Sequence, residues 1–364
     1  MSPALETWWE GVMERPPGLA HAALAALLPL SWLLLEADIL RQSRERRHSR
    51  PALPVLSVGN LSLGGTGKST TVIYLARRLQ ALGLRPAVVT RGYRGESSDT
   101  PRLVSAGAAL LAGPEAGDEA VMLARLLPGV PVAVGQRRER VIRLLADQTP
   151  ADLVLLDDGF QYYRLARAWD LVLLDASRSG PSDRLFPAGY LREPWSHLRR
   201  AGQVWLTHVD LAEPAALARL EAWIARFRPV PLVHTCHRLT AVRALSGARE
   251  PAASLSGARV LAVSGLGNPA SFEASLRQAG AEVVPLRYPD HHPYAAADLL
   301  TIGARMRENG ATIAVTTEKD AVKLGRLDPG DDLRVAECEL LVLRGEDLVT
   351  EGLSKMAEVV RAGG

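Results

Sequence analysis

A glycine-rich run at residues 62–69 holds the side chains whose chemistry is clearest from the sequence. It reads Ser62, Leu63, Gly64, Gly65, Thr66, Gly67, Lys68 and Ser69. In such a turn the backbone N–H groups surround a di- or triphosphate, the lysine reaches the β- and γ-phosphates, and the final hydroxyl ligates Mg²⁺. The run therefore predicts a site for ATP and Mg²⁺, in which Lys68 also contributes to catalysis and Ser69 to metal binding. Ser62 stands where the usual pattern has its first glycine.

Two adjacent carboxylates, Asp157 and Asp158, follow the apolar run Leu153–Leu156. An acidic residue at the end of a buried strand commonly completes a phosphate-loop site by orienting Mg²⁺. Adjacent carboxylates also raise one another's pKa, which favours proton handling. We therefore expect Asp157 and Asp158 to hold the metal together with Ser69; the alternative is a pair of turn or helix-capping aspartates.

The elements that must position these groups alternate between short apolar runs and amphipathic stretches. The runs that predict strands are Val55–Val58, Pro86–Thr90, Val132–Val134, Leu153–Leu156, Leu171–Leu174, Gln203–Leu206, Val260–Val263, Glu282–Pro285 and Ile313–Val315. Helical patterns such as Thr70–Leu82 lie between several of them. This rhythm predicts an α/β fold similar to P-loop NTPases, with a mostly parallel sheet and helices on both faces. Functional loops should then lie at the strand C-termini.

The length of 364 residues suggests two domains. This alternation of strand and helix patterns changes near residues 226–245. There a short apolar run is flanked by prolines and is followed by short stretches that alternate polar and apolar residues. We predict an N-terminal apolar helix with a basic segment at 1–50 and a P-loop domain at 51–233. A linker at 234–245 then leads to a smaller α/β domain at 246–364, whose last residues can pack back on the first domain.

The composition describes an ordinary globular protein, with 47% hydrophobic and 23% charged residues. The formal net charge of +3 is too small to indicate a nucleic-acid partner. Cys236 and Cys338 are the two cysteines and lie far apart in sequence. Such sparse cysteine argues against a disulfide scaffold and fits a reducing cytosol.

An uncharged stretch, Pro17–Leu35, precedes a cluster of arginines. As a helix it would span roughly 28 Å, about the thickness of the hydrocarbon core of a bilayer. We expect it to associate with a membrane, spanning it or lying on it; a buried core helix and a secretory signal are the alternatives. The arginines that follow favour anionic headgroups and the cytoplasmic face. They are Arg41, Arg44, Arg46, Arg47 and Arg50.

The order of several short motifs resembles the tetraacyldisaccharide 4′-kinase family, which acts in lipid A biosynthesis. The acidic strand end continues as Asp157-Asp158-Gly159-Phe160-Gln161, similar to that family's DDxFQ signature. The other matching segments are Gly59-Asn60, Gly64-Gly65-Thr66-Gly67-Lys68, Thr90-Arg91-Gly92-Tyr93, Gly117-Asp118-Glu119, Pro187–Pro194, Ser264–Pro269, Asp290–Tyr294 and Thr316–Asp320. Each segment alone is weak evidence, but their order and spacing together are specific and cover most of the chain.

The resemblance implies phosphoryl transfer from ATP to the 4′-hydroxyl of a tetraacylated glucosamine disaccharide 1-phosphate. It places the protein on the cytoplasmic face of the bacterial inner membrane. It also implies that Asp118 and His291 form a catalytic pair that activates the hydroxyl, because a sugar hydroxyl is a poor nucleophile and needs a proton acceptor. One departure is Tyr162, which stands where the family commonly has histidine.

The resemblance further suggests Asn60, Arg91, Arg192 and Glu193 as residues that contact substrate. The arginine fork suits phosphate groups. A different class of function remains open, namely a membrane-tethered P-loop switch ATPase, although such proteins commonly carry an additional lysine near the start of the loop and residues 59–66 contain none. A kinase that acts on another lipid or sugar is a third possibility.

Overall fold

A single mixed sheet organises the protein. The structure is a computed structural model that describes residues 8–9, 11–13, 18–46, 51–92, 100–107, 110–111, 116–180, 183–229 and 231–363. The strands, numbered along the chain, are β1 Val55–Asn60, β2 Pro86–Thr90, β3 Arg102–Ser105, β4 Val132–Val134, β5 Leu153–Asp157, β6 Trp169–Asp175, β7 Gln203–Thr207, β8 Leu232–Ala244, β9 Arg249–Pro251, β10 Arg259–Ser264, β11 Glu282–Arg287, β12 Ile313–Thr317 and β13 Leu333–Arg344.

The strand order across the sheet is β11-β10-β12-β13-β8-β7-β6-β1-β5-β2-β4-β3, with β9 pairing to β8 outside this path. Neighbouring strands are parallel except where β3 meets β4 and where β8 meets β13 or β9. The phosphate-loop strand β1 lies between β5 and β6, at the centre of the first half of the sheet. The C-terminal ends of these parallel strands therefore meet at one edge.

Helices cover both faces of this sheet, and the first two helices along the chain lie largely outside it. They are α1 Leu19–Ala26, α2 Leu28–Arg46, α3 Lys68–Ala81, α4 Asp118–Leu126, α5 Arg138–Gln148, α6 Pro214–Ala225, α7 Pro269–Gln278, α8 Ala296–Asn309, α9 Glu318–Leu324 and α10 Glu346–Gly363. Successive strand residues face opposite layers: Leu56 packs in one core with Leu75 of α3, whereas Val55 packs in another with Val141 of α5. The second half repeats this arrangement, with α7 and α8 on opposite faces of β10.

This architecture confirms the predicted α/β class with a mostly parallel sheet, and the nine predicted strands are present close to their predicted bounds. The segment 234–245 is different. The predicted linker is instead part of strand β8, which pairs in parallel with β7 and antiparallel with β13. Its side chains are mostly buried, and Leu239 and Val242 pack in one core with Phe272 of α7. The sheet therefore continues from one half of the chain to the other, and the division into two domains stays a proposal.

The N-terminal helices lie largely outside the core. Leu19–Arg44 is long and apolar enough to cross a membrane by length and composition, and 6% of its most apolar window is buried. That exposure argues against the alternative of a buried core helix. Arg41 and Arg44 lie in the C-terminal half of α2. Pro17, Arg47 and Arg50 of the predicted membrane and basic segments lie outside the described residues.

Polar and aromatic contacts tie this N-terminal region to the P-loop half. The Trp9 indole N–H donates to the carbonyl of Pro187 at 2.6 Å, and its ring packs edge-on against Tyr190. Further along, the side chain of Gln42 accepts a hydrogen bond from the Tyr163 backbone N–H at 3.0 Å. The exposed helix is thus anchored beside the loop that contains residues 185–191.

Candidate active site

The phosphate-binding loop connects β1 to α3 at the C-terminal edge of the sheet. Gly64 and Gly67 adopt left-handed backbone angles, with φ of 94° and 80°, which favour glycine because they crowd a Cβ. Lys68 opens α3, so the loop N–H groups and the positive end of the helix dipole share one place. Asn60 lies beneath the loop and its amide donates to the Thr66 hydroxyl at 3.0 Å. The geometry is that of an anion cradle.

Ser62, where the usual pattern has glycine, forms an isolated β-bridge with Leu191. The neighbouring Leu63 N–H donates to the carbonyl of Tyr190 at 2.7 Å. The start of the loop is thus held by the 187–194 segment, which the sequence analysis singled out as a motif.

Asp158 faces the loop lysine. Its carboxylate lies 3.6 Å from the Lys68 ammonium and accepts a hydrogen bond from Arg192 at 2.8 Å. Burial acts to raise the pKa of Asp158, but Lys68 and Arg192 together hold that pKa well below its usual range. Asp158 therefore stays ionised and compensates the charge of two cations.

Asp157 has the opposite electrostatic setting. It ends β5, is buried, and its Oδ1 has no hydrogen-bond partner in the structure. Burial, and then the nearby carboxylate of Glu119, raise the pKa of Asp157 well above its ordinary value. Two carboxylates that disfavour each other's charge mark a place where an added cation would be stabilising.

The Ser69 hydroxyl donates to Glu119 at 2.5 Å, which brings a third oxygen ligand to this place. Hydroxyl and carboxylate oxygens are the donors that Mg²⁺ prefers. Within the described ranges, no group of three or more His, Cys, Asp and Glu side chains could hold a metal by itself. A few protein oxygens fit Mg²⁺ that arrives with nucleotide phosphates and keeps part of its water shell.

The structure does not pair Asp118 directly with His291. Asp118 opens α4, and its carboxylate lies 3.8 Å from the Lys323 ammonium and 3.6 Å from the Arg326 guanidinium. Lys323 also donates to the carbonyl of His292 at 2.9 Å, so one lysine links the two predicted segments. The catalytic pair stays a proposal that needs a shift of the intervening lysine.

His291 lines the cavity above the loop and has a left-handed backbone, with φ of 60°. Its Nε2 lies 3.1 Å from the Lys319 ammonium, which also donates to Asp290 at 2.8 Å. Burial acts to lower the pKa of Lys319, but Asp290 and Glu119 raise it above its ordinary value. A charged Lys319 can only donate, so Nε2 carries the lone pair of His291.

Four residues were predicted to contact substrate, and they divide into two groups. Arg91 and Arg192 line the cavity. Asn60 and Glu193 are fully buried, and Glu193 is paired with Arg200 at 2.5 Å and hydrogen-bonded to Tyr163 at 2.7 Å. Because they are buried, Asn60 and Glu193 are placed to support neighbouring residues of the site rather than to contact substrate as predicted.

Tyr162, the departure from the family pattern, donates its hydroxyl to Glu139 and packs against the Arg138 guanidinium. Burial, reinforced by Glu139, raises its pKa above the ordinary value. The residue therefore remains a neutral phenol and does not supply the titratable group that a histidine would.

One cavity of about 1730 Å³ joins these features. Its polar end is lined by the loop, Lys68, Glu119, Asp158 and His291. Its apolar lining comes from the N-terminal region, from the start of the phosphate-binding loop and from the 185–191 loop, namely Trp9, Leu34, Leu35, Leu63, Leu185, Phe186, Tyr190 and Leu191. A ligand with an anionic group and an apolar body would be complementary to both parts of this lining.

Two residues that the sequence analysis did not single out lie in this site. Glu119 contacts Ser69, and it lines the cavity where Asp118 was expected. Lys319 contacts His291. Both stand inside segments already recognised, Gly117-Asp118-Glu119 and Thr316–Asp320, but nothing in their spacing says which acidic or basic side chain faces the cavity.

Comparison with known proteins gives a consistent result. The family described as tetraacyldisaccharide-1-P 4′-kinase matches residues 23–356. The tetraacyldisaccharide 4′-kinase of Anaeromyxobacter dehalogenans (strain 2CP-C) is 42% identical over 362 residues, which covers 95% of this chain and 93% of the relative. The protein of the same name from Syntrophus aciditrophicus (strain SB) is 41% identical over 79% of each chain.

The fold has a solved counterpart as well. A crystal structure of the "apo" form of LpxK from Aquifex aeolicus in complex with ATP superposes with a TM-score of 0.70 at 30% sequence identity. The match covers 92% of this chain and 98% of that one. On the family match, the extent of the identity and the shared fold, this chain belongs to the tetraacyldisaccharide-1-P 4′-kinase family.

Proposed function

We propose that this protein transfers the γ-phosphoryl group of ATP to the 4′-hydroxyl of a tetraacylated glucosamine disaccharide 1-phosphate, a late step of lipid A biosynthesis. The observation that carries the proposal is the single cavity that runs from the phosphate-binding loop to the exposed N-terminal helices. A nucleotide suits one end and acyl chains suit the other. Family membership supplies the identity of the acceptor.

At the polar end, the loop N–H groups bind the phosphates and Lys68 neutralises charge on the β- and γ-phosphates. Ser69, Asp157 and Asp158 are proposed to hold Mg²⁺, with Glu119 beside them. When bound, the metal would neutralise developing charge on the transferred group. Arg91 and Arg192 line the same cavity and suit the anionic groups of either substrate.

At the acceptor end, we assign Asp118 and His291 to activation of the sugar hydroxyl. Nε2 of His291 would accept the proton of the sugar hydroxyl through its lone pair. Lys319, now 3.1 Å from this nitrogen, would first have to move away. Asp118 would orient or stabilise the imidazole after its own ion pair with Lys323 opens. Both changes follow if the second half closes on bound substrate and excludes water.

The apolar end supports association with a membrane surface. Leu30 and Leu33 of α2 are 54% and 65% exposed, and water is a poor solvent for such side chains. We propose that α1 and α2 contact the cytoplasmic leaflet of the inner membrane, with the arginines that follow on anionic headgroups. The acyl chains of the acceptor would then enter from the bilayer past Leu34 and Leu35.

The experiment is phosphate transfer from labelled ATP to purified tetraacyldisaccharide 1-phosphate, with mapping of the phosphorylated hydroxyl. We expect ATP turnover to depend on the acceptor and the label to appear at the 4′ position. Lys68→Ala should abolish both, whereas Lys355→Ala, an exposed lysine on α10, is the matched control. Acceptor-independent ATP hydrolysis that rises with protein self-association would contradict the kinase and indicate a switch ATPase.

A further inference from the structure

A chain of buried polar side chains lies against the phosphate-binding loop outside the groups assigned so far. Asp175 ends β6, and its Oδ2 lies 3.2 Å from Nδ1 of His208. His208 Nε2 lies 2.8 Å from Nδ1 of His237, a residue of β8. Neither histidine was identified as a site residue from the sequence. This series of side-chain contacts leads from the end of β6 to the phosphate-binding loop.

The order of these contacts determines where the protons lie. His208 Nδ1 has no hydrogen bond of good geometry, but the Asp175 carboxylate 3.2 Å away attracts a proton to that nitrogen, and His208 in turn lowers the pKa of Asp175. His208 Nε2 then accepts from Nδ1 of His237, which leaves Nε2 of His237 with a lone pair. That atom is buried and has no hydrogen-bond partner in the structure. Burial and the neighbouring His208 lower the pKa of His237 to about 3, so the ring is neutral.

The free end of this chain faces Gly67. A Cβ built on Gly67 would lie closest to Cε1 of His237, and 2.9 Å from its Nε2, so this edge of the imidazole ring packs against the glycine. The imidazole therefore fills the space that a side chain at position 67 would occupy, and it forms a wall behind the left-handed turn that precedes Lys68. His237 also lines the nucleotide cavity.

Asp175 also makes a contact with a residue in the second half of the protein. Its Oδ2 accepts a hydrogen bond from the Asn268 amide at 2.9 Å. Asn268 and Gly267 lie on the phosphate loop: a Cβ at Gly267 would be 3.0 Å from the Cα of Gly64. One buried carboxylate thus supports the loop from two sides, through the histidines and through the 265–268 turn.

We propose that His237 is a positioning residue for the phosphate-binding loop, and that Asp175 links it to the 265–268 turn. His237 holds Gly67 in the shape in which the loop N–H groups converge on phosphate, and Asn268 holds the turn of the second half against the same loop. Nucleotide affinity, rather than the chemical step, should depend on this network. The inference rests on the proposed use of ATP at this loop.

The test is direct titration of a fluorescent ATP analogue with Mg²⁺ and no lipid acceptor. We expect His237→Ala to weaken binding by about tenfold, because the loop loses its preorganised shape. Under saturating ATP, kcat should stay within about threefold, so that the loss appears in KM for ATP. His237→Gln, whose amide reaches the position of Nε2, should recover part of the affinity.

The matched control is His234→Ala on the same strand. His234 is buried and lies 2.7 Å from Glu221, away from the loop, so its loss should lower stability with nucleotide affinity unchanged. Asn268→Ala should weaken binding less, and its effect should not add to that of His237→Ala, because both act through Asp175.

The proposal is overturned if His237→Ala binds the analogue within twofold of the unaltered protein, or if His234→Ala loses as much affinity. If His237→Ala does not fold, folded His237→Gln decides: a loss of about threefold is expected, and an affinity within about 1.5-fold of the unaltered protein overturns the proposal. Failure of the unaltered protein to phosphorylate the lipid would instead refute the proposed function, and leaves this binding measurement intact.

Discussion

At the scale of residues, the site places strained backbone where side chains must point at a reacting group. Of the four described residues other than glycine with left-handed φ, Asp158, His208 and His291 (52°, 52° and 60°) belong to this region, and Asp328 (49°) does not line the cavity. Such left-handed conformations cost about 1–3 kcal/mol each and persist where the surroundings determine them. Each of the three follows a strand end or lies in a loop on the cavity side. Strain and function therefore coincide here.

The two adjacent histidines should separate catalysis from packing. His291→Ala should lower kcat by about 100-fold or more, the range of a lost general base, with KM for ATP little changed. His292→Ala is the control, since His292 stacks on Tyr288 and pairs with Asp298 at 3.0 Å. It should lower the melting temperature more than kcat. Steady-state kinetics that show equal losses in both variants would contradict the assignment of His291.

Glu193 should contribute stability that depends on pH. Burial acts to raise its pKa, but hydrogen bonding to His197 and the charge of Arg200 lower it below the ordinary value. Because the folded protein binds the proton less tightly than the unfolded chain, this stability is full above the ordinary carboxyl pKa and is lost as pH falls below it. Glu193→Gln should cost about 2 kcal/mol at neutral pH, the value of hydrogen bonds to a charged group.

The measurement is the free energy of unfolding by denaturant at a series of pH values. The difference between the unaltered protein and Glu193→Gln should shrink as pH falls below the ordinary carboxyl range. Glu358→Gln, an exposed change on α10, should show no such trend. A difference that grows toward acid pH would mean that the pKa of Glu193 is raised.

Sequence spacing was sufficient to bring together Lys68, Ser69, Asp157 and Asp158, because parallel strands deliver their C-terminal ends to one edge. It was insufficient for Glu193 and Asn60. The sequence shows the same acidic or amide residue whether its side chain faces a substrate or a buried arginine. The direction of each side chain follows from tertiary packing, which a local motif does not contain.

At the scale of elements, α2 should act as a membrane-contacting helix. Replacing Leu30 and Leu33 by Gln should lower partition onto vesicles by about tenfold or more for each leucine, since burial of one leucine side chain is worth about 1.5–3 kcal/mol. Partition should also fall when anionic lipid is omitted, because the arginines lose their attraction. Vesicle co-sedimentation with and without anionic lipid measures both effects.

The matched control for this helix is Leu300→Gln on α8, which is 76% exposed in the second half of the chain. It should leave partition unchanged. Equal partition of all variants, or a loss in Leu300→Gln of the same size, would mean that the exposed leucines of α2 do not meet lipid.

The strands that sequence analysis located and those it missed differ in their physical pattern. Buried parallel strands such as β1 and β5 are continuous apolar runs bounded by turn residues, and they are easily recognised. Strands β8 and β13 carry charged side chains such as Arg243 and Glu337, which pair across the two strands at 3.2 Å. These charged residues interrupt the continuous apolar runs from which the other strands were predicted.

At the scale of the whole molecule, one sheet runs through both halves by way of the β8–β13 pair. A fragment that ends at residue 233 keeps β7, whose residues are all buried, with only Leu232 and Val233 of β8 on its edge, and it removes the rest of β8 together with β13. An uncovered, apolar strand edge pairs with other chains. We expect this fragment to aggregate, whereas the full chain does not.

Size-exclusion chromatography and thermal melting of the fragment beside the full chain test this expectation. A soluble monomer with a cooperative melt would show that the first half folds alone, as the predicted division into domains implies. Aggregation would mean that the halves share one folding unit.

The undivided cavity also has a consequence for inhibitor design. The phosphate-binding loop and the apolar lining face the same cavity. A single compound that tethers a phosphate mimic to an aliphatic tail would therefore contact both at once. The second contact would then form at the high effective concentration set by the tether, so its affinity would exceed that of either fragment.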